Sequence, residues 1–396
     1  MPARWGELTT REVLDAVDGT VVYGLSRAAF TGISTDSRRI ISGGLFWALT
    51  GNRHDGHQFV FDTLQKGAMG AVVSKRWWEA EGARRAADHE IPEDGPDFIA
   101  VDDTLQALGD FGAWWRRQHR AKVVGITGSS GKTTTKEMVA GVFGVRHKTL
   151  KNEGNFNNLI GLPLTLLRLT DGHDRAILEM GMNRPGEIGR LTNIAAPDIG
   201  AIINIGRAHL EGLVNLDGVA RAKCEMIHEM PPSGLMVLNG DDVRLMKAAG
   251  QGDLRKLTFG YKMENDVRAT GIQELGKEGV RFTLVYDHDA WPARLRIPGR
   301  HNVSNALAAA AVGFGMGEDP ETIINGLAAY PGMDGRFMIR AFPGGVTLVD
   351  DTYNANPSSL KAALDAIQSL VGEGERLIVS LGDMLELGEA AIRSHR

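Results

Sequence analysis

One cysteine, Cys224, is present in 396 residues. A lone thiol excludes an intrachain disulfide and any multi-cysteine metal site, and it suits a reducing compartment. Long apolar runs are also missing. Nothing approaches the ~18 consecutive apolar residues of a membrane span, and residues 1–8 lack the apolar stretch of a signal peptide. A cytoplasmic address without membrane insertion is expected. Basic charge is not in excess: 44 Lys and Arg stand against 49 Asp and Glu, for a formal net charge of −5. Neutralising a nucleic-acid backbone needs a basic face, so no nucleic-acid partner is expected. Aromatic residues make up only 6%.

Glycine, by contrast, is abundant at 50 residues, which suits many tight turns between strands and helices and favours an α/β class. With 43% hydrophobic and 23% charged residues the chain can build real cores, and its length calls for two or three domains. Changes of texture place the boundaries at 1–103, 104–331 and 332–396. The first segment reads as a small α/β domain with short apolar runs at 45–49, 71–74 and 98–101, and with 75–97 as an exposed excursion. In the second, strands at 122–127, 176–180, 199–205 and 235–238 alternate with helices near 186–194 and 217–229, as in a parallel sheet covered on both faces. The alternation of polar and apolar residues within 266–298 predicts a small antiparallel patch, and an alanine-rich helix is expected at 301–313. The third segment offers strands at 346–350 and 376–381 around a helix after Pro357, about half of a typical ~100–150-residue domain.

The strongest local signal is the stretch from Gly125 to Thr134, Gly-Ile-Thr-Gly-Ser-Ser-Gly-Lys-Thr-Thr, set between a strand and a helix. Glycines let successive backbone N–H groups converge on phosphate oxygens at a helix N-terminus; Lys132 adds a mobile charge, and the Thr133 hydroxyl can ligate magnesium. The spacing is tighter than the common G-x-x-x-x-G-K-[ST] pattern, whose first glycine would fall at Ile126. Glu179 and His209 follow later strands, at the carboxyl edge where ligands of open α/β sheets collect. Magnesium prefers oxygen, so Glu179 is the better ligand.

These strings, with Leu178-Glu179-Met180-Gly181, Ala208-His209-Leu210-Glu211 and His301-Asn302-Val303-Ser304-Asn305-Ala306, resemble the Mur ligases of peptidoglycan synthesis across essentially the whole chain. Asp350 to Pro357 and Gly154 to Pro163 resemble the member of that family that adds the terminal dipeptide. Ser34-Thr35-Asp36-Ser37-Arg38 and Gly51 to His57 look like a UDP-binding domain. The resemblance implies three domains: a small UDP-binding domain, a central phosphate-loop ATPase domain with a parallel sheet, and a Rossmann-like third domain. It also implies an ATP-dependent ligase that joins D-alanyl-D-alanine to UDP-N-acetylmuramoyl-tripeptide through an acyl phosphate.

By the same resemblance, ATP phosphates would lie on Gly128, Ser129, Ser130, Gly131, Lys132, Thr133 and Thr134. Thr133 and Glu179 would hold one magnesium. Lys223, as a carbamate formed with carbon dioxide, would join His209 on a second. Asn302 would contact adenine, Asp350 and Asn354 the nucleoside side, and Arg336 the terminal phosphate. Lys132, Lys223, His209 and Arg336 would be catalytic. The UDP substrate would meet Ser34, Thr35, Asp36, Ser37, Arg38, Asn155, Asn157 and Asn158. A monomer is expected. The third residue of the acceptor peptide, diaminopimelate or lysine, is left open. Two departures stand out: Arg184 replaces a histidine common among relatives, and the strands expected after Gly388 are not in the sequence, so the third domain is expected to be incomplete. The alternatives are a folylpolyglutamate-type ligase and a nucleotide-binding module without turnover.

Overall fold

The computed structural model describes residues 8–395 apart from 52–53, 207–212, 214, 251, 369, 373, 386 and 388–390. Contacts divide the chain into two units: residues 1–120 with 159–172, and residues 121–158 with 173–396.

The first unit is built on a five-stranded sheet in the order Gly19–Tyr23, Asp97–Val101, Gly70–Ser74, Leu45–Trp47, Ile33–Ser34, parallel except for its first pair. The central strands are buried on both faces, as their continuous apolar runs require. Helix Thr104–Arg117 starts at Asp103, whose carboxylate accepts from Leu105 and Gln106 N–H. It packs Leu108 and Phe111 into the core beside Trp47. The stretch expected as an exposed excursion is mostly exposed and is helical from Lys75 to Asp88. Charged residues dominate its composition, yet Trp78 and Ala86 are buried against Phe98. Two well-placed apolar side chains were enough to anchor it.

The second unit carries a nine-stranded sheet. In chain order its strands are β1 Lys122–Thr127, β2 Thr149–Lys151, β3 Arg175–Glu179, β4 Ile199–Ile202, β5 Leu235–Asn239, β6 Arg255–Gly260, β7 Val267–Glu274, β8 Val280–Tyr286 and β9 Asp289–Leu295. Its helices include α1 Lys132–Gly144, α2 Glu187–Ala195, α3 Leu216–Glu229, α4 Val243–Ala249, α5 Arg300–Gly315, α6 Pro320–Ala329 and α7 Pro357–Gln368. The spatial order is β9-β8-β7-β6-β5-β4-β1-β3-β2. β1 through β7 pair in parallel, and β7-β8-β9 form the expected antiparallel patch as a continuation of the same sheet.

From β1 the chain first builds β2 and β3 on one side and then β4 to β6 on the other, so the sheet's switch point lies at the carboxyl end of β1. Behind that point α1 and α5 cover one face. α5 buries Ala306 and Ala308 to Ala311, whose small side chains let it lie close to the strands. α6 crosses α1 at Gly326, where a Cβ would stand 2.4 Å from the Val142 Cα, so only glycine fits.

Two expected strands are corrected. β4 ends at Ile202 rather than at 205: Ile203 N–H still bonds the Thr127 carbonyl, and residues 204–206 then run beside the phosphate loop. The run 376–381 is not a strand: Ile378 is 73% exposed, and the strands of that region, Met338–Ala341 and Thr347–Asp350, pair only with each other among the described residues. An apolar β-branched run needs a neighbour's backbone groups to become a strand. Among the described residues no helix is long and apolar enough to cross a membrane.

Candidate active site

The phosphate loop occupies the switch point. β1 delivers Thr127 and Gly128; Gly131 takes φ +77° and caps α1. A Cβ there would also meet Asn305 Oδ1 at 2.4 Å, so backbone conformation and close packing both demand glycine. The loop is braced from β4's extension. Asn204 Oδ1 accepts from the Ser129 and Ser130 N–H groups at 3.0 Å each, and its Nδ2 donates to the Ser130 carbonyl at 3.0 Å. Ser129 and Gly206 exchange two further hydrogen bonds.

One cleft brings together most of the residues expected to bind ATP. Ser129 to Thr134, Glu179, Asn302, Arg336 and Asn354 all line it. So do His301, Asn305, Asp351 and Asn356, which the sequence reading did not single out. Asn305 was accessible to it, because it lies one turn after Asn302 on α5; its Nδ2 donates to Asn302 Oδ1 at 3.3 Å. Asp351 was not. Its neighbour Asp350 is occupied in a turn, accepting from the Thr352 N–H and hydroxyl, whereas Asp351 accepts from the Phe337 N–H at 3.1 Å and faces the cleft. Burial pushes the Asp351 carboxyl above its ordinary range and His301 down to about 4.

Glu179 closes β3 and is buried. Its Oε1 accepts from Asn157 Nδ2 at 2.8 Å, while Oε2 is buried without a hydrogen-bond partner. A buried carboxylate oxygen left open in a cleft, with the Thr133 hydroxyl lining the same cleft, fits a hard divalent cation whose remaining ligands are phosphates and water. Among the described residues no group of three His, Cys, Asp or Glu side chains is arranged to hold a metal ion by itself. Arg336 stacks its guanidinium 4.0 Å from the centre of the Tyr353 ring and reaches Thr133 Oγ1 at 3.4 Å; its Nε is buried and unpartnered. A donor and an acceptor thus stand open on two residues that line the cleft.

Lys132 and Lys223 both donate to the Gly128 carbonyl, at 2.9 Å each. Burial, then the charge of Lys132, pushes the Lys223 amine well below the ordinary lysine range. Burial likewise lowers Lys132, offset in part by Glu179. His209 lies outside the described residues. Among the three asparagines, Asn157 is turned toward Glu179 and Gly181, whereas Asn155 and Asn158 are exposed. In the first unit, Ser34, Thr35, Asp36, Ser37 and Arg38 form a turn held by Asp36. Its carboxylate accepts from Arg38 N, Nε and Nη2, and the Arg38 guanidinium holds it down at about 2.

A phosphate loop at a sheet switch point, facing an open carboxylate and an arginine, defines a nucleotide-dependent phosphoryl-transfer enzyme. The chain belongs to the Mur ligase family: residues 29–115 match the Mur ligase family catalytic domain, 126–313 the Mur ligase middle domain, and 335–396 the Mur ligase glutamate ligase domain. It is 35% identical over 389 residues to the UDP-N-acetylmuramoyl-tripeptide–D-alanyl-D-alanine ligase of Bacillus subtilis strain 168, covering 98% of this chain and 81% of the relative. Among solved structures it is similar to MurF from Acinetobacter baumannii, with TM-score 0.85 and 33% identity over 100% of this chain and 83% of that one. It is also similar to MurF ligase from Thermotoga maritima in complex with ADP, with TM-score 0.79 and 28% identity over 92% and 80%. The three-domain architecture expected from the sequence is that of these relatives.

Proposed function

We propose that the chain is an ATP-dependent ligase that joins D-alanyl-D-alanine to UDP-N-acetylmuramoyl-tripeptide, the reaction named for its curated relative. The observation that carries the reading is the cleft in which Lys132, Thr133, Glu179 and Arg336 meet. A carboxylate is a poor electrophile at neutral pH, so it must be activated before an amine can attack it. The terminal carboxylate of the tripeptide displaces ADP from the terminal phosphorus of ATP, giving an acyl phosphate. The dipeptide amine then attacks the acyl carbon, loses a proton and expels phosphate.

Each side chain has a task in that sequence. The loop N–H groups and Lys132 hold the phosphates in line, and Arg336, prearranged by its stack on Tyr353, meets the charge that spreads over the transferring oxygens. Thr133 and Glu179 would hold magnesium, which supplies positive charge to the phosphoryl oxygens. Asn302, Asn354 and Asp350 are assigned to the nucleoside, and Asp351, which lines the cleft, joins them. Ser34 to Arg38, Asn155, Asn157 and Asn158 are assigned to the UDP substrate.

Lys223 is assigned a carbamate, with His209 as its partner toward a second magnesium. What supports this is the buried amine with its lowered pKa: only the free base attacks carbon dioxide, forming an N–C bond and releasing a proton. The compartment is assigned as cytoplasmic and the unit as a monomer. The folylpolyglutamate reading is not favoured, because the curated relative carries the muramoyl-peptide name over nearly the whole chain.

The test is direct. With ATP, magnesium, the UDP-tripeptide and D-alanyl-D-alanine, mass spectrometry should show the UDP-linked pentapeptide. Equal ATP hydrolysis with and without the two acceptors, and no pentapeptide, would overturn the assignment.

A further inference from the structure

The strand that carries Glu179 loses its neighbour one step too early. β2 pairs with β3 only as far as Lys151 opposite Ile177, so the backbone of Glu179 would face no ladder partner on that side. The Asn152 side chain takes the missing strand's place. Its Oδ1 accepts from the Glu179 N–H at 2.9 Å, and its Nδ2 donates to the Glu179 carbonyl at 2.9 Å and to the Phe156 carbonyl at 3.0 Å. An amide that binds both backbone groups of one residue fixes that residue's position and its rotation about the strand axis.

Asn152 is itself held. Its carbonyl accepts from Lys136 Nζ at 2.6 Å, and Lys136, only 1% exposed, extends from α1 one turn after the phosphate-loop lysine. Glu137 Oε1 lies 3.2 Å from that ammonium and partners it. The turn that follows closes on the same target: Asn157 donates to Glu179 Oε1 and accepts from the Gly181 N–H at 2.8 Å. The path Lys136, Asn152, Glu179 therefore ties the helix behind the phosphate loop to the carboxylate in front of it, through buried hydrogen bonds with low local dielectric.

We propose that Lys136 and Asn152 are positioning residues for the Glu179 carboxylate, setting the distance between the open Oε2 and the Thr133 hydroxyl so that a divalent cation fits both. The proposal rests on Glu179 as a metal ligand. Neither residue touches the nucleotide cleft, and both act through Glu179. Groups of this kind, one bond removed from the ligand, change metal affinity by about 10- to 100-fold when lost.

The test is manganese binding to the full chain, followed by electron paramagnetic resonance in the presence of a non-hydrolysable ATP analogue, together with calorimetry of ADP binding in EDTA. Asn152→Ala and Lys136→Met should each weaken manganese binding about tenfold or more while metal-free ADP affinity stays within twofold, and Lys136→Arg should recover part of the loss. Glu179→Gln, which removes the ligand itself, should weaken manganese binding at least as far. If Glu179→Gln is weakened but both positioning variants bind like the parent, the proposal falls and Glu179 stands as a ligand. Unchanged manganese binding in Glu179→Gln would remove Glu179 and the proposal together. Should Asn152→Ala fail to fold, Lys136→Met, which keeps the asparagine, decides the question alone.

Discussion

Lys132 and Lys223 converge on a single acceptor, the carbonyl oxygen of Gly128, each at 2.9 Å. Two ammonium groups on one oxygen repel each other, and burial leaves little solvent to screen them. The arrangement therefore favours Lys223 as the neutral amine, the form that can add carbon dioxide.

Replacing Lys223 with alanine should lower turnover by at least about 100-fold, the order seen when a charge-stabilising group is lost. Formate or acetate should restore part of it by entering the vacated space. Steady-state rates with and without either anion check this. An alanine variant with the parent's rate would show Lys223 to be an ordinary buried lysine.

Arg336→Lys keeps the charge but loses the planar face that stacks on Tyr353 and the fork that reaches Thr133. If, as proposed, Arg336 acts chiefly on charge developing in the transition state, this variant should lower kcat about 100-fold with a much smaller change in the KM for ATP. Comparable losses in kcat and in ground-state nucleotide binding would instead make Arg336 a simple binding residue.

His301 connects the cleft to stability. Its folded-state pKa is pushed down from 6.5 to about 4 by burial. Between those values the unfolded chain binds a proton that the native chain refuses, so stability is full above about pH 6.5 and declines as pH falls toward 4. The loss through this group is on the order of 3 kcal/mol over the full window. Urea titrations at several pH values should show a weaker dependence for His301→Gln than for the parent, and identical slopes would contradict the assignment.

Much of this site was legible because its chemistry is local. The phosphate loop needs glycine, lysine and threonine at fixed spacing, and the strand before it and helix after it follow from periodicity. What escaped depends on contacts between distant segments. Asn204 braces the loop from 74 residues away, and nothing in its own neighbourhood marks it. Asp350 and Asp351 are adjacent in sequence, and only the turn made by Thr352 decides which faces the cleft. Trp78 sits in a charged stretch, yet the packing of its indole against Phe98 makes that stretch a helix on the sheet. The apolar run 376–381 shows the converse, since composition without a pairing partner did not make a strand.

Gly326→Ala should test the packing that supports the loop from behind. The added methyl would meet Val142 backbone atoms at 2.4 and 2.7 Å, which no side-chain rotation relieves. Forcing α1 and α6 apart should cost about 1–3 kcal/mol, seen as a lower Tm. An unchanged Tm would mean the helices separate freely.

The acyl-phosphate account is tested most directly by following the oxygen of the substrate carboxylate. With UDP-tripeptide labelled by 18O in its terminal carboxylate, ATP and D-alanyl-D-alanine, mass spectrometry of the released phosphate should find one labelled oxygen per amide formed. The nucleophilic oxygen leaves on phosphorus and the other stays in the new amide. Phosphate free of label, with amide still produced, would contradict the account.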